Sequence, residues 1–304
     1  MILADRGGRG ASKTEGIVVK GVGGLYHVRA PGGELYFCRA RGIFRNERIS
    51  PLPGDRVEIY VIDEAGRAGD LYAILPRRNV LARPRAANVD AAVIVMAAAL
   101  PALNPDLLDR FLLLNERAGI GQAICVNKCD LPGPAPEFVR KAYAAAGYPV
   151  FEVSAALKTG LEAFSEFLSG KVCVLAGPSG VGKSSLVNAL CPGKNRETGE
   201  LSAKIGRGRH TTRETALIEL FPGAYVMDTP GFTSLDISGV SADELPGLFP
   251  EFRPFIGRCR FTDCAHDRED GCAVKDAVGG AVSEARYKRY IAFREETAAC
   301  RERF

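Results

Sequence analysis

The chain has 304 residues, a length that favours two or three domains over one compact core. No stretch approaches about 18 uninterrupted apolar residues, and the first 30 residues carry charges and glycines throughout. We therefore expect no membrane span, no secretory signal and a cytoplasmic protein. The formal charge of +4 is uneven, because residues 1–86 hold 15 Lys and Arg against 9 Asp and Glu. A polyanion-binding surface is expected mainly near the N-terminus.

The first segment alternates short apolar and polar runs with turn signals and shows no helical pattern. Five such runs predict strands, at 16–19, 25–29, 34–39, 56–62 and 71–75. Five short strands indicate a small all-β barrel, and the oligonucleotide-binding (OB) barrel is the commonest five-stranded candidate. We assign this barrel to residues 1–80.

Basic and aromatic residues cluster around the third predicted strand and just after it: Arg39, Arg41, Arg45, Arg48, Tyr36, Phe37 and Phe44. They suit RNA contact, because unpaired bases stack on aromatic rings. The alternative is that the aromatic residues form the barrel core and the arginines a solvated rim. The uneven charge favours RNA binding.

After a basic, proline-punctuated linker at 76–84, strands alternate with helices. Strands are predicted at 89–96, 122–127, 150–153, 171–176 and 224–227, and helices at 105–118, 135–146 and 161–168. This alternation indicates a mostly parallel α/β sheet covered on both faces, which we assign to residues 81–238. Strand patterns stop near Val240, and helical spacing at 287–303 predicts a mostly α-helical domain at 239–304.

Residues 177–184, Gly-Pro-Ser-Gly-Val-Gly-Lys-Ser, match the phosphate-binding loop pattern G-x-x-x-x-G-K-[ST] between a predicted strand and a predicted helix. Backbone N–H groups of such a loop wrap phosphates, and the helix dipole favours their charge. Lys183 would reach the β- and γ-phosphate oxygens, and Ser184 would bind Mg²⁺. The expected cradle comprises Gly177, Pro178, Ser179, Gly180, Val181, Gly182, Lys183, Ser184 and Ser185.

Two later segments fit magnesium and the γ-phosphate. Asp228 follows an apolar run and would hold the magnesium shell through water, while the N–H of Gly231 would lie near the γ-phosphate. Between the two motifs, residues 206–213 are basic and glycine-rich. Thr212, or alternatively Thr211, would complete magnesium coordination when GTP is bound.

Asn127-Lys128-Cys129-Asp130 follows a predicted strand and fits recognition of a guanine base. The Asp130 carboxylate can accept hydrogen bonds from the guanine N1–H and amino group, which adenine does not offer in that geometry. Asn127 would tie this loop to the phosphate-binding loop, and the stem of Lys128 would cover the base. Ser154 and Ala155 fit a supporting loop whose backbone N–H meets the guanine carbonyl.

Three cysteines and one histidine lie within 14 residues: Cys259, Cys264, His266 and Cys272. Three thiolates and an imidazole suit one tetrahedral Zn²⁺ with no open ligand position, which is a structural site. A small, charged segment without a large apolar core needs such a metal to fold.

These motifs resemble the G domain of GTPases, but the base-reading motif precedes the phosphate-binding loop, so the order is circularly permuted. With the N-terminal barrel and the Cys/His tail, the chain resembles the bacterial ribosome small-subunit-dependent GTPase A family. The resemblance implies a slow GTPase in late maturation of the small ribosomal subunit, bound to its ribosomal RNA and stimulated by that subunit. We expect GTP and GDP as ligands and a monomer. Gly180 stands where an asparagine can support a potassium site in some related GTPases, which argues against potassium dependence.

The residue that positions the attacking water is not the usual glutamine after the D-x-x-G turn, because Phe232 stands there. His210, beside the two threonines, is the candidate, with RNA contact as its alternative. Two other functions are alternatives for the chain: a P-loop ATPase or kinase, and a nucleotide-gated RNA-binding module with incidental hydrolysis. Because the segment after Asp228 runs into the C-terminal domain, nucleotide state is expected to reposition that domain.

Overall fold

The computed structural model describes residues 12–40, 44, 49–81, 84–191, 216–228 and 235–301. The chain forms two compact units, each built from separate stretches of sequence. The first contains residues 1–90, 168–174 and 193–230, and the second contains residues 91–167, 175–192 and 231–304. Within the described ranges, no helix combines the length and apolar character that a membrane span needs.

Five strands close into a barrel in the order β1-β2-β3-β5-β4. Their bounds are β1 Ser12–Val22, β2 Leu25–Arg29, β3 Leu35–Ala40, β4 Arg56–Asp63 and β5 Ala68–Ile74. Gly23 and Gly24, both at positive φ, form the tight turn between β1 and β2 that two-residue hairpins require. The predicted five-stranded barrel is confirmed.

The aromatic residues of the barrel divide between its core and its surface. Tyr36 and Phe44 are buried, whereas Phe37 is 43% exposed. Neighbouring residues in a strand point to opposite faces, so Tyr36 and Phe37 cannot both reach the surface. The core interpretation therefore holds for Tyr36 and Phe44, and they are not stacking platforms. Arg41, Arg45 and Arg48 lie outside the described residues.

The segment predicted as a linker is folded onto the barrel. It contains a short strand, β6 Val80–Leu81, which pairs with β7 Ala86–Ala87 just beyond it. Arg77 donates to both carboxylate oxygens of the fully buried Asp55 at 2.7 Å, and Asn88 donates to the Gly54 carbonyl at 3.0 Å. Arg78 also pairs with Asp90 at 2.7 Å. Both arginines therefore form ion pairs within the protein. Part of the N-terminal positive charge is therefore neutralised within the chain.

A second sheet has six strands in the order β10-β9-β8-β11-β13-β12. The strands are β8 Ala91–Ala97, β9 Gly121–Asn127, β10 Val150–Glu152, β11 Val172–Ala176, β12 Leu217–Phe221 and β13 Ala224–Asp228. Pairs β10–β9 and β9–β8 are parallel, and β8 is buried along its whole length, as expected for a sheet covered on both faces. Strand β12 was not predicted; it pairs antiparallel with β13.

In the described part of the chain, four α-helices accompany this sheet: α1 Pro105–Arg117, α2 Ala135–Tyr143, α3 Leu161–Leu168 and α4 Lys183–Leu190. Helix α1 begins where its sequence dictates, because the Asn104 side chain accepts the Leu107 N–H and proline follows the cap. Its buried face, with Leu108, Phe111 and Leu112, packs in one core with residues of β8 and β9.

The regular elements described in the C-terminal segment are helical, as predicted. It contains 3-10 helices at Leu245–Leu248 and Pro250–Phe252, then α5 Ala273–Asp276 and α6 Glu284–Arg301. Its core is aromatic, with Phe249, Phe252, Tyr290 and Phe293 at most 1% exposed. Among the described residues beyond Asp228 no strand is present.

Candidate functional site

The phosphate-binding loop connects β11 to α4 and depends on its glycines. Gly177 has a φ of +135°, and a Cβ there would lie 2.2 Å from the Val95 carbonyl oxygen. Gly182 has a φ of +92°, and a Cβ there would lie 2.5 Å from the Asn127 side-chain amide. A larger residue would clash with the Val95 backbone at position 177 and displace the buried Asn127 amide at position 182, and both positions have a φ that favours glycine, so the loop keeps this form only with glycine.

The ammonium group of Lys183 is held against its own loop. Its Nζ donates to the carbonyl oxygens of Gly177 at 2.7 Å and Pro178 at 2.9 Å. Ser184 and Ser185 follow in the first turn of α4, where backbone N–H groups are left without helical partners. This end of α4 therefore offers an ammonium group, hydroxyl groups and backbone donors to an anion.

Asn127 joins three loops of the site. It is 1% exposed; its Nδ2 donates to the Val181 carbonyl at 2.9 Å, and its Oδ1 accepts the Ala155 N–H at 3.1 Å. The sequence predicted that a backbone N–H of the Ser154-Ala155 loop meets the guanine carbonyl, and a base bound to the Ala155 N–H would have to share it with Asn127. That role of Ala155 stays a prediction.

Lys128 also ties the base-reading loop to the phosphate-binding loop. Its backbone has a φ of +64°, and its Nζ donates to the Gly180 carbonyl at 2.6 Å and to the Leu100 carbonyl. The left-handed conformation costs on the order of 1 kcal/mol for a residue with a Cβ. The two hydrogen bonds of Nζ offset this cost and fix where the alkyl stem runs.

The Asp130 carboxylate is exposed, but the buried hydroxyl of Ser154 fixes its orientation. Ser154 is 0% exposed; its Oγ donates to Asp130 Oδ1 at 2.5 Å and accepts the Leu157 N–H at 3.0 Å. Because one carboxylate oxygen is engaged, the rotation of the group is restricted and the remaining acceptor sites face solvent. This arrangement suits a ligand edge with two adjacent donors, as guanine has.

The three cysteines and the histidine converge. One ligand atom from each lies within 4.8 Å of the others. His266 Nδ1 lies 3.4 Å from the sulfurs of Cys259 and Cys272, which are 4.0 Å apart. Zinc bonds of about 2.3 Å to sulfur and 2.0 Å to nitrogen in a tetrahedron require sulfur–sulfur separations of about 3.8 Å and sulfur–nitrogen separations of about 3.5 Å. The donor set fits zinc.

Helix α6 supports this cluster through the backbone of its ligand loop. Tyr287 donates to the His266 carbonyl at 2.9 Å, and Arg294 donates to the Ala265 carbonyl at 2.8 Å. The Glu269 carboxylate accepts the N–H groups of Ala265 and Asp267. These contacts hold His266 at a φ of +57°. The ligand loop is thus ordered by protein contacts as well as by any metal.

Comparison with known proteins agrees with this geometry. The RsgA N-terminal domain model matches residues 15–67, and the RsgA GTPase model matches residues 74–238. The small ribosomal subunit biogenesis GTPase RsgA of Ruminiclostridium cellulolyticum is 45% identical over 280 residues, which are 91% of each chain. The chain belongs to the RsgA GTPase family. Its RsgA-like relative in Geobacillus kaustophilus, which carries the same name, is 42% identical over 95% of this chain and 99% of that protein.

Solved structures match the RsgA GTPase fold over nearly its whole length. YjeQ from Thermotoga maritima has a TM-score of 0.79 at 34% identity, with 94% of this chain and 99% of that chain covered. YloQ, described as a circularly permuted GTPase, has a TM-score of 0.78 at 35% identity, with coverage of 97% and 98%. The chain is therefore a circularly permuted GTPase, which decides against the ATPase or kinase alternative.

Several predicted residues of the RsgA GTPase site are not among those described. His210, Thr211, Thr212 and Gly231 lie outside the described ranges. Asp228 ends β13 as predicted for a strand end, but its side chain is not described. Their roles stay predictions.

The sequence analysis did not predict a buried ion cluster that the structure shows. Arg286 of α6 is 2% exposed and donates to both oxygens of Glu251, at 2.7 and 3.1 Å, and to Asp109 of α1. A signal existed, because Arg286 precedes Tyr290 and Phe293 by four and seven residues and so shares their buried face. A C-terminal domain that moved as a body would have to carry α1 with it or break this pair.

Proposed function

We propose that this GTPase acts in late maturation of the small ribosomal subunit, that its barrel contacts the ribosomal RNA, and that the subunit stimulates its GTP turnover. Support for the partner is the name of the curated relatives, small ribosomal subunit biogenesis GTPase RsgA, which align with 91% or more of this chain. The protein would act as a monomer in the cytoplasm, where subunits mature.

The observation that carries guanine binding is the Asp130 carboxylate held by the buried Ser154 hydroxyl. In the proposed complex Asp130 accepts the N1–H and amino group of guanine, and the Lys128 stem covers one face of the base. Asn127 ties its own base-reading loop to the phosphate-binding loop through Val181 and to the supporting loop through Ala155. GTP and GDP would bind alike at this end, because they share the base.

For the phosphates we propose that residues 177–185 form the cradle and that Lys183 neutralises β- and γ-oxygens. Mg²⁺ would be held by Ser184 and Thr212 directly and by Asp228 through water. The N–H of Gly231 would meet the γ-phosphate. His210 would orient the attacking water once the partner orders its loop, which would explain slow turnover alone and faster turnover with the subunit.

The Cys259, Cys264, His266 and Cys272 cluster would hold one structural Zn²⁺. Four protein ligands leave no position for water or substrate, so the metal would stabilise the fold of the C-terminal segment rather than act on phosphate. The support is the fit of the donor separations to a tetrahedron.

On the barrel, the outer side of β2 and β3 is the proposed RNA contact. Phe37 is 43% exposed and packs edge-on against His27, with ring centroids 4.8 Å apart. Partial burial and the neighbouring Lys20 charge lower the pKa of His27, so its ring stays neutral at physiological pH and can pack against apolar surfaces. A neutral aromatic pair among basic residues suits base stacking.

The test is GTP turnover by the full chain alone, with purified small ribosomal subunits and with purified large subunits. We expect only small subunits to raise kcat. Lys183→Ala, which removes the ammonium group from the phosphate cradle, serves as the blank for GTPases that contaminate ribosomes. Equal turnover in all three conditions, after subtraction of this blank, would contradict the proposal and favour incidental hydrolysis.

A further inference from the structure

One carboxylate links the barrel to the strand that ends at Asp228. Glu219 of β12 places Oε2 at 3.1 Å from Arg29 Nε of barrel strand β2, and its Oε1 accepts the Tyr225 hydroxyl of β13 at 3.3 Å. The side chains of Arg29 and Glu219 are only 21% and 19% exposed. Such an ion pair is screened by solvent far less than a surface pair.

Backbone pairing also connects the barrel to the start of β12. Lys20 of β1 forms an isolated antiparallel bridge with Ala216, directly before β12. The next residue, Leu217, pairs with Met227, which precedes Asp228 in β13. A shift in register within β1 between Val18 and Lys20 accompanies this contact. Two pairings therefore separate the barrel wall from the proposed magnesium-shell residue.

Arg29 and Glu219 attract each other through their charges rather than through a well-aligned hydrogen bond. Although Arg29 Nε is 3.1 Å from Glu219 Oε2, its N–H makes no hydrogen bond of good geometry, while Nη1 donates to the Gly33 carbonyl at 2.8 Å. Burial and the Glu219 carboxylate raise the pKa of Tyr225 to about 12, so its hydroxyl remains a donor at physiological pH.

We propose that Arg29 and Glu219 are positioning residues that couple the barrel to GTP hydrolysis, by fixing β12 and β13 and thereby the end of β13 that bears Asp228. The coupling rests on the proposed function, because ribosomal RNA on the barrel is the signal that it transmits. Neither residue is among those proposed to bind the nucleotide. Their effect belongs to the stimulated rate rather than to nucleotide binding.

The experiment compares Arg29→Gln, Glu219→Gln and the double variant with the matched control Lys13→Gln. Lys13 also lies in the barrel and forms a cross-strand ion pair, with Glu58 at 2.9 Å, so the control removes the same charge without touching β12. Turnover is measured alone and at saturating small subunits, together with GDP affinity and thermal unfolding. Tyr225→Phe, which deletes one hydroxyl, is the milder variant if a glutamine variant unfolds.

We expect both single variants to lower kcat at saturating subunits by about 5-fold or more, the scale of an ordinary coupling between sites. The double variant should be no worse than either single one, because both break the same contact. Unstimulated turnover, GDP affinity and the Lys13→Gln control should stay near wild type, and Tyr225→Phe should show a smaller loss in the same direction.

Three results would overturn the inference: unchanged kcat in both single variants, a loss confined to subunit affinity, or an equal loss in Lys13→Gln. The second result would make Arg29 an RNA contact instead. Failure of wild-type protein to respond to small subunits is a different result, which removes the proposed function itself.

Discussion

Replacement of Arg286 by methionine should strongly destabilise the unit that contains α1 and α6. Arg286, Asp109 and Glu251 are 2–4% exposed, so the variant leaves two carboxylates buried without their shared cation. Removal of one partner from a buried ion pair costs about 3–5 kcal/mol. The guanidinium also lies 4.7 Å from the Phe249 ring centroid, a cation–π contact worth on the order of 1 kcal/mol. Methionine retains most of the aliphatic stem, so cavity formation adds little.

The assay is urea unfolding followed by far-UV circular dichroism, since the chain has no tryptophan. We expect Arg286→Met to lose about 3–5 kcal/mol of unfolding free energy. Lys141→Met is the control, because its pair with Glu137 is 78% and 68% exposed on one face of α2, and it should stay within about 0.5 kcal/mol of wild type. A loss below about 1 kcal/mol in Arg286→Met would show that the buried ion cluster contributes little to stability.

The same variant carries a pH signature. Burial raises the pKa of Asp109 above its usual value, and the Arg286 charge opposes that rise. Without Arg286 the folded-state pKa rises further above the unfolded value of about 3.9. A raised carboxyl pKa favours the folded state below the unfolded pKa, and that advantage is lost as pH rises through the folded pKa. The loss of unfolding free energy in Arg286→Met relative to wild type should therefore become smaller as pH falls from 8 towards 4. A loss that does not depend on pH would count against the buried carboxylates as its cause.

Three further substitutions test the sites. Ser154→Ala should weaken GDP binding about 10-fold to 100-fold, the value of a hydrogen bond to a charged group, and unchanged affinity in calorimetry would show that Asp130 needs no support. Cys259→Ala should lose the one zinc found per chain by metal analysis, whereas the buried Cys173→Ala should keep it; wild-type protein without zinc would remove the assignment. His210→Ala should lower stimulated kcat about 10-fold to 1,000-fold with nucleotide and subunit affinity intact, and a wild-type stimulated rate would end its catalytic role.

Elements with strong local patterns could be predicted from sequence. The barrel strands, the buried strand β8 and helix α1 follow from alternation, continuous apolar runs and capping residues. Strand β12 had a usable signal, the Pro222-Gly223 turn that leads into β13. The buried position of Tyr36 could also have been predicted, because Tyr36 and Phe37 are neighbours in one strand and point to opposite faces.

Contacts between residues distant in sequence could not be predicted. The sequence places Arg77 in a basic linker and does not indicate its contact with Asp55, nor does it indicate the contact between Arg29 and Glu219. The order of the nucleotide motifs was enough to place Asn127 beside the phosphate-binding loop, since strand ends meet at one edge of a sheet. It could not show that Ser154 donates to Asp130 from a fully buried position.

The most direct test of the account is the base specificity of subunit-stimulated turnover in Asp130→Asn. In the wild-type protein the Ser154 hydroxyl donates to Asp130 Oδ1, and the asparagine side chain keeps an oxygen that can accept this hydrogen bond. Its NH₂ group is a donor where the carboxylate has an acceptor. Xanthine presents an acceptor where guanine presents its amino group, so the variant should be stimulated by small subunits with XTP and respond poorly with GTP, the reverse of wild type. Stimulated turnover that still prefers GTP would contradict the base-reading role of Asp130.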